Sequence, residues 1–463
     1  MAYNLLTLDR EQGYLMPPSL REWLAEGDLA WFILDAVDQM DLEGFYVAYR
    51  ADGWGAAAYD PAMMVWVLLY AYCQGIRSSR RVARALERDV GFRVVAANQQ
   101  PDFRTICRFR AEHEKALERL FVQVLWLCRE AGLVKLGMVA LDGAKVAADA
   151  ALEANRSYEA IEEEVQRMLV EAKKVDAEED ALFGPEQRGD KLPEGLGRRA
   201  ERLKRLQEAK SRLAKEAEDT AKAVQEHLKQ RQMEEAASGK KKRGRKPKRI
   251  EPTPTAEAKA NTTDPDSRIM KARQGYVQGY NAQAIVSRDQ IIVATGVTPE
   301  ANDVQQLEPM LETLERTLEA AGIEDRPRAA LADAGYWSET NFTACSCPKG
   351  PELLIATTKD WKQRKAARER GCPRGRIPKD LSCRERMERR LLTQRGRRLY
   401  RLRGITVEPV LGQVKEGQGC RRFMRRGLQA VQSEWSLIGT THNLLKLWRS
   451  GQAPWNCDKA RWN

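Results

Sequence analysis

Two short apolar runs, Leu136-Gly-Met-Val-Ala-Leu-Asp142 and Ala329-Ala-Leu-Ala-Asp333, each end in an aspartate, and a long segment of quite different character separates them. This feature constrains the fold most. Runs of this kind read as buried strands whose last residue emerges at a sheet edge. A carboxylate in such a place is costly unless it is paired or bound to a metal. Two carboxylates about 4 Å apart repel by roughly 4 kcal/mol at an effective dielectric of 20. A cluster of them therefore needs cations. Mg²⁺ suits hard oxygen ligands, and a pair of such ions can activate an attacking hydroxyl and stabilise a leaving oxygen. A turn role would also suit Asp142 before Gly143 and Asp333 before Ala334-Gly335.

Residues 1–130 read as helical. Asp60-Pro61 is a helix opening, with an N-cap followed by proline at the first position. The apolar stretch Met63 to Tyr72 follows and stops at Gly75. Ser78 or Ser79 caps a second short helix carrying Arg80, Arg81, Arg84 and Arg88, and Pro101-Asp102 opens a third in which Arg104 and Arg108 share a face. Short helices with arginines on the last one resemble a helix-turn-helix DNA reader; a solvated charged face on a helical bundle would look alike. After Asp142 comes long, charged helix. Ile161, Val165, Met168, Ala172 and Val175 keep a spacing of three to four, as do Leu203, Leu206, Leu213, Ala217, Val224 and Leu228, with Gly and Pro between the two sets. The spacing predicts an antiparallel helical hairpin with a narrow apolar seam. It ends in the basic run Gly239 to Arg249.

Strand signals return after residue 274. Tyr276–Val286 and Ile291–Val297 flank Ser287-Arg-Asp-Gln290, a hairpin pattern. A helix is expected over Val304–Ala320, a strand at Leu353–Ala356, a basic low-apolar stretch over 359–403, and helix from Thr406 to Trp448 with Leu428, Val431, Trp435, Ile438 and Leu445 on its core face. With the hairpin removed, this is an α/β sheet with helices on its faces.

The balance of charge names a class of partner. Lys and Arg outnumber Asp and Glu by 78 to 66, the formal charge is +12 and the pI is near 9.2. That suits a polyanion, most often nucleic acid. No apolar run approaches the roughly 20 residues of a membrane helix, and the start lacks a signal-peptide layout. The nine cysteines are scattered as reduced thiols would be. Cys345, Cys347, Cys372 and Cys383 match no common zinc spacing.

Several phrases go further: Leu141-Asp-Gly-Ala-Lys145, Asp264-Pro-Asp-Ser-Arg268, Gly279-Tyr-Asn-Ala-Gln283, Leu331-Ala-Asp-Ala-Gly-Tyr336 and Val407-Glu-Pro-Val-Leu-Gly-Gln413, with Tyr59-Asp-Pro-Ala-Met63 and Phe109-Arg-Ala-Glu-His113 near the start. From about Pro17 to Trp448 the chain resembles bacterial insertion-sequence transposases of the DDE type. The resemblance implies a multidomain protein: an all-α N-terminal DNA-binding domain over 1–130, and an α/β RNase H-like catalytic domain over 131–150 and 263–450. A helical coiled-coil insertion with a basic tail at 151–262 interrupts that domain, and 451–463 is a tail. It implies that Asp142, Asp333 and Glu408 are the catalytic acids and hold two Mg²⁺ ions, with Mn²⁺ able to substitute.

A subgroup of these enzymes has Tyr, two residues, Arg, three residues, Glu, six residues, Lys. Tyr400, Arg403, Glu408 and Lys415 fit this, except that four residues separate Arg403 from Glu408. Glu416, Glu339 and Glu352 compete as third acid. Pro409 reads as the first-turn proline of a helix starting near Glu408, whose dipole would favour an anion. Lys415 could hold a phosphate or be an ordinary exposed lysine.

Expected DNA contacts are Arg80, Arg81, Arg84, Arg104, Arg108, Arg403 and Lys415, with Trp337 stacking on an unpaired base. Arg243 and Arg245, in Lys242-Arg-Gly-Arg-Lys-Pro247, resemble an AT-hook, although Lys246 stands where a hook has proline. The activity implied is cleavage at the element's terminal inverted repeats and joining of 3′-hydroxyl ends to target DNA. The partners implied are double-stranded DNA and a second copy of the chain, with no membrane, in a cytoplasmic, nucleoid-associated setting. A non-catalytic DNA-binding derivative and an RNase H-like nuclease that cuts without joining are the alternatives.

Overall fold

A computed structural model describes residues 19–49, 57–183, 194–238, 247–272, 275–345, 350–372, 374–378, 380–453 and 455. Arg243 and Arg245 lie outside them, as does most of the tail. Seven helices come first: α1 (Leu29–Val37), α2 (Glu43–Tyr46), α3 (Pro61–Cys73), α4 (Ser79–Arg88), α5 (Val90–Val95), α6 (Phe103–Glu112) and α7 (Glu114–Glu130). The Asp60 carboxylate caps α3 by accepting from Ala62 N at 2.8 Å, ahead of Pro61 at the first position. Asp102 caps α6 by accepting from Thr105 N at 2.7 Å. The chain also forms α5 between the two arginine-bearing helices, a six-residue element too short to show a period in the sequence.

The sheet strands are β1 (Val139–Ala147), β4 (Arg268–Ala272), β5 (Gly275–Ser287), β6 (Ile292–Thr298), β7 (Ala329–Ala332) and β8 (Glu352–Ile355), in the order β4-β5-β1-β7-β8, with β6 also on β5. β1 pairs with β5 antiparallel and with β7 parallel, and β7 pairs with β8 parallel. The region is thus a mixed sheet. A separate ribbon, β2 (Asn155–Ser157) with β3 (Lys259–Asn261), closes the base of the helical insertion.

That insertion is α8 (Tyr158–Phe183) and α9 (Glu194–Ser238). Lys210 pairs with Glu162 at 2.7 Å and Arg202 with Glu164, so the two helices run antiparallel. Ile161 and Val165 bury against Leu206, Ala209 and Leu213. The buried seam stops at Leu213, although the apolar spacing continues to Val224 and Leu228, which are half-exposed. The reason is length: α8 begins at Tyr158, so none of its residues is left to cover the next turns of α9.

The rest follows as α10 (Leu307–Ala320), α11 (Glu339–Ala344), α12 (Trp361–Arg370), α13 (Cys383–Leu392), α14 (Gln394–Gly412) and α15 (Leu428–Ser450). The basic, low-apolar stretch 359–403, for which the sequence pattern assigns no element, contains α12, α13 and the first half of α14. α13 opens with a capping box between Ser382 and Glu385. Such helices are held by caps and charge pairs more than by an apolar face, so periodicity does not reveal them.

One continuous core joins the N-terminal helices to the sheet. Its axis is α15, which packs against α7, α3 and β6. Asn443 sits on the edge of β6 like a further strand residue, accepting from Ile292 N at 2.9 Å and donating to Ile292 O at 2.8 Å. The Asp264-Pro-Asp266 phrase holds the start of this helix: Asp264 accepts from Gly427 N at 3.2 Å and Asp266 from Leu428 N at 2.9 Å. No helix among the described residues is long and apolar enough to cross a membrane.

Candidate active site

Asp142 does not end its strand. β1 runs on to Ala147 because β5 pairs with it along its whole length, with Asp142 opposite Ala284. What ends near Asp142 is the pairing on the other side. The parallel register Val139↔Ala330 and Ala140↔Leu331 stops there, and two residues further on each strand come Asp142 and Asp333. The two aspartates thus share one register position at the point where β7 gives way to a loop.

α14 crosses this end of the sheet and packs on β1, β5 and β7. It carries Arg403, whose guanidinium donates to Asp142 Oδ2 at 3.1 Å and to Glu408 Oε1 at 3.0 Å. The side chains are 16% exposed for Arg403, 21% for Asp142 and 58% for Glu408, so the bridge opens toward solvent on the Glu408 side. Burial pushes the Asp142 carboxyl above its usual range; Arg403 opposes this and the charge of Asp333 adds to it. Burial also works against the charge on Arg403, but Asp142, Tyr400, Asp333 and Glu408 outweigh it and raise the guanidinium pKa. Asp333 accepts from Gly335 N at 2.7 Å and Asp142 from Gly143 N at 2.9 Å.

The helix bearing Glu408 does not begin there. α14 starts at Gln394, and Pro409 lies inside it, so the N-terminal dipole expected to favour Glu408 is absent. A proline within a helix leaves the carbonyl four residues earlier without its donor. Here that carbonyl is Ile405 O, and the Gln290 side chain donates to it at 3.1 Å.

Among the competing third acids, Glu352 pairs with Ala329 at the far end of the parallel β7–β8 pair from Asp333 and binds Arg395 at 2.7 Å. Glu416 is exposed and pairs with Arg421 at 2.5 Å. Glu339 is exposed at the start of α11. Glu408 alone of the four shares an arginine with Asp142.

The other expected site residues fall into three places. Arg80, Arg81, Arg84, Arg104 and Arg108 are exposed on α4 and α6, and both Arg80 and Arg104 lie over the Phe103 ring, at 5.3 and 5.8 Å. Lys415 is half-buried in a π-helical turn, Gln413–Gly417, that continues α14. Trp337 is half-buried against Phe342, while its neighbour Tyr336 is fully buried, which is the core role and not a stacking one.

The reading missed Asp303. It follows β6 in a loop, and no apolar run ends in it, so no pattern marked it. Its Oδ1 accepts from Asn281, Gln283 and Lys145 at 2.7, 3.0 and 3.1 Å. The reading also missed a cavity of about 1190 Å³ beside Arg403, walled by α12, α13 and α14, whose lining includes Arg364, Arg368, Arg397, Arg401 and Tyr400. The described ion pairs give none of those four arginines a carboxylate partner.

Among the described residues no group of three His, Cys, Asp or Glu side chains stands arranged to hold a metal ion. The arrangement is an acidic pair on adjacent parallel strands, a third carboxylate bridged to the first by arginine, and an arginine-lined cavity alongside. An acidic site on a mixed sheet, joined to an arginine-bearing helical region, is the class that the fold defines. Comparison with family models makes this more specific. The Transposase domain (DUF772) matches residues 18–112, and the Transposase DDE domain matches residues 376–448, which include Arg403 and Glu408. The two matches support an insertion-sequence transposase of the DDE type. No curated protein and no solved structure matches the chain.

Proposed function

We propose that the chain is an active DDE transposase, which binds the terminal inverted repeats of its element, cuts at the ends and joins the freed 3′-hydroxyls to target DNA. The observation that carries this reading is the bridge from Asp142 to Arg403 and Glu408, the last two inside the matched DDE segment, with Asp333 at the same register position as Asp142. Asp142 and Asp333 at one register position of paired strands, with Glu408 joined to Asp142 through the Arg403 guanidinium that donates to both, form an acidic group that calls for cations. Carboxylate oxygens are hard ligands that suit Mg²⁺, so the donor set fits two Mg²⁺ ions held by Asp142, Asp333 and Glu408, with Mn²⁺ as substitute. Bound there, the ions would supply activation of the attacking hydroxyl and stabilisation of the leaving oxygen.

The chain's own residues do the rest. Arg403 neutralises Asp142 and Glu408. The arginines around the cavity, with Lys415, hold phosphates next to the acids. Arg80, Arg81, Arg84, Arg104 and Arg108 grip the duplex backbone, and Arg243 with Arg245 adds a minor-groove contact. Trp337 stacks on an unpaired base near the cut. The sheet order, with the two acid strands as parallel neighbours, supports an RNase H-like core over 131–150 and 263–450, preceded by a DNA-binding region over 1–130 and interrupted by a coiled-coil insertion over 151–262. The protein works as a homodimer on DNA in the cytoplasm, at the nucleoid.

The test uses the full chain, labelled oligonucleotides carrying the element's ends, a target plasmid and Mg²⁺. Cut ends and joined products support the reading. Cut ends without joining make the protein a nuclease, and end binding without Mg²⁺-dependent cutting makes it a DNA-binding derivative.

A further inference from the structure

Behind the acids lies another carboxylate, Asp303, inside a cluster of polar side chains. Cross-strand partners share a face of a sheet, and successive residues alternate between faces. Gly143 stands opposite Gln283, and Lys145 opposite Asn281, so these four line the face of β1 that Asp142 does not. Three of them converge on Asp303 Oδ1: Asn281 Nδ2 at 2.7 Å, Gln283 Nε2 at 3.0 Å and Lys145 Nζ at 3.1 Å.

The cluster is wired to both aspartates. Lys145 follows Asp142 by three residues on the same strand. Gln283 accepts, through Oε1, from the hydroxyl of buried Tyr336, which follows Asp333 by three residues. Asn341 closes the loop by donating to Tyr336 O at 2.9 Å and to Val304 O, next to Asp303. Two glycines make room for it. A Cβ on Gly143 would lie 2.4 Å from Gln283 Nε2 and 3.0 Å from Asp303 Oδ1, and one on Gly335 would lie 2.8 Å from Asp333 Oδ1 and 3.2 Å from Asp303 Oδ2. Neither glycine has a left-handed backbone, so what a larger residue would disturb at both places is the packing of the Gln283, Asp333 and Asp303 side chains, not the backbone. The phrases Asp142-Gly143-Ala-Lys145, Asn281-Ala-Gln283 and Asp333-Ala-Gly335-Tyr336 therefore read as one device.

We propose that Asp303 is a positioning residue that fixes the spacing of Asp142 and Asp333, and so sets the affinity of the site for divalent cations. The inference rests on the transposase reading. Charge-assisted hydrogen bonds are roughly twice as strong as neutral ones, and Oδ1 of Asp303, accepting three donors, one of them an ammonium, has little left to give a metal. Its job is to hold β1, β5 and the loop after β7 at one geometry. Outer partners of this kind typically change metal affinity by about 10–100-fold when removed.

The experiment titrates Mn²⁺ alone into the full-length protein by calorimetry and by electron paramagnetic resonance, for wild type, Asp303→Asn, Asp303→Ala and Tyr336→Phe. Thermal unfolding and end binding are followed in parallel. Asp303→Ala is expected to weaken Mn²⁺ binding by about 10–100-fold, with end binding kept and cleavage partly restored at saturating Mn²⁺. Asp303→Asn, which still offers an acceptor oxygen, should fall between it and wild type. Tyr336→Phe cuts only the link through Gln283 and should shift the titration in the same direction by less. It also serves as the readout if Asp303→Ala does not fold. Wild-type Mn²⁺ affinity in a destabilised Asp303→Ala, or in Tyr336→Phe where Asp303→Ala fails to fold, overturns the proposal and leaves the transposase reading standing. Loss of Mn²⁺ binding that no concentration restores makes Asp303 a ligand, which also overturns it. A wild-type protein that binds no Mn²⁺ removes the metal-dependent reading, and the proposal falls with it.

Discussion

Arg77, just before α4, and Arg80, in its first turn, stand three residues apart and have opposite fates. Arg77 is sealed: its side chain is 3% exposed, it pairs with the fully buried Glu434 at 3.0 Å, and it donates to Gly419 O at 2.6 Å and Arg422 O at 2.8 Å. Glu434 is filled from its other side by Met424 N at 2.9 Å and Arg425 N at 3.1 Å. Together they tie the N-terminal helices to the segment that leads into α15. Arg80 is exposed and rests over Phe103. Arg110 and Arg104 repeat the contrast on α6, the first buried on Tyr72 Oη at 2.6 Å and the second exposed. Arg403 lies between these extremes, partly exposed and shared by two carboxylates. The lesson is that burial against fixed partners separates scaffold from site. A guanidinium held by buried partners, as Arg77 is through both of its Nη atoms, holds the fold, and one left open can meet a phosphate.

The largest effect should come from the open acidic cluster. Asp142→Ala, Asp333→Ala and Glu408→Ala are each expected to lower end cleavage on the order of 10⁴-fold or more, as removal of residues that act as a catalytic unit does. Metal-free DNA binding should stay the same or tighten slightly, because each change removes negative charge. Cysteine at 142 or 333 should recover part of the activity in Mn²⁺ but not in Mg²⁺. Gel assays of cleavage and binding at matched protein concentration decide it. If Glu408→Ala cuts at the wild-type rate while Glu416→Ala or Glu339→Ala is dead, the third acid is misassigned.

The sealed pair should give the largest effect on stability. Removing one partner of a buried ion pair leaves an uncompensated charge and costs about 3–5 kcal/mol. Glu434→Ala should therefore lower the urea midpoint strongly. A Glu434→Ala protein as stable as wild type would break the contrast drawn above.

Farther along α15, His442 is 4% exposed, and its Nε2 lies 3.0 Å from Gln290 O. A carbonyl only accepts, so the neutral ring donates from Nε2. Burial, with Lys446 and Arg449 nearby, lowers the imidazole pKa from 6.5 to about 4, despite the opposing hydrogen bond. The folded value lies below the unfolded one, so the unfolded chain takes the proton first as pH falls. Stability is full above about pH 6.5 and is lost toward pH 4, by up to about 3 kcal/mol. His442→Gln should flatten stability against pH across that window in denaturant titrations; an unchanged slope would assign the pH dependence elsewhere.

Much of this was legible in the sequence, and what was not has physical reasons. Asp142 and Asp333 could be found because apolar β runs lead into them. That Asp142 lies mid-strand could not, because strand length depends on pairing with β5, which is distant in sequence. Glu408 was singled out by motif, and its helix was misread. Pro409 signals a helix start by local rules, whereas in the fold the helix runs through it and the Gln290 side chain, from the β5–β6 turn, donates to the carbonyl that the proline leaves without its donor. The helices over 359–403 carry too few apolar residues to show a period. Asp303 and the pair Arg77–Glu434 were invisible for one shared reason: their meaning lies in which distant donors reach them, and local pattern does not encode that.

The smallest expected effect tests the open side of the comparison. Arg80 and Arg104 reach the same Phe103 ring from two helices, so they form one exposed cationic patch. Exposed substitutions of this kind change stability by about 0.5 kcal/mol or less, so Arg80→Ala with Arg104→Ala should unfold close to the wild-type midpoint. Its effect should appear in DNA binding alone, and in a particular form. Each phosphate neutralised contributes about −0.9 to the slope of log K against log salt. If both arginines meet phosphates, the slope should become shallower by about 2, with the same change on element ends and on unrelated duplex, because phosphate contacts carry no sequence information directly. A change confined to element ends would mean base contact instead. A slope equal to wild type would show that the patch is a solvated face, and that openness alone does not make an arginine a DNA contact.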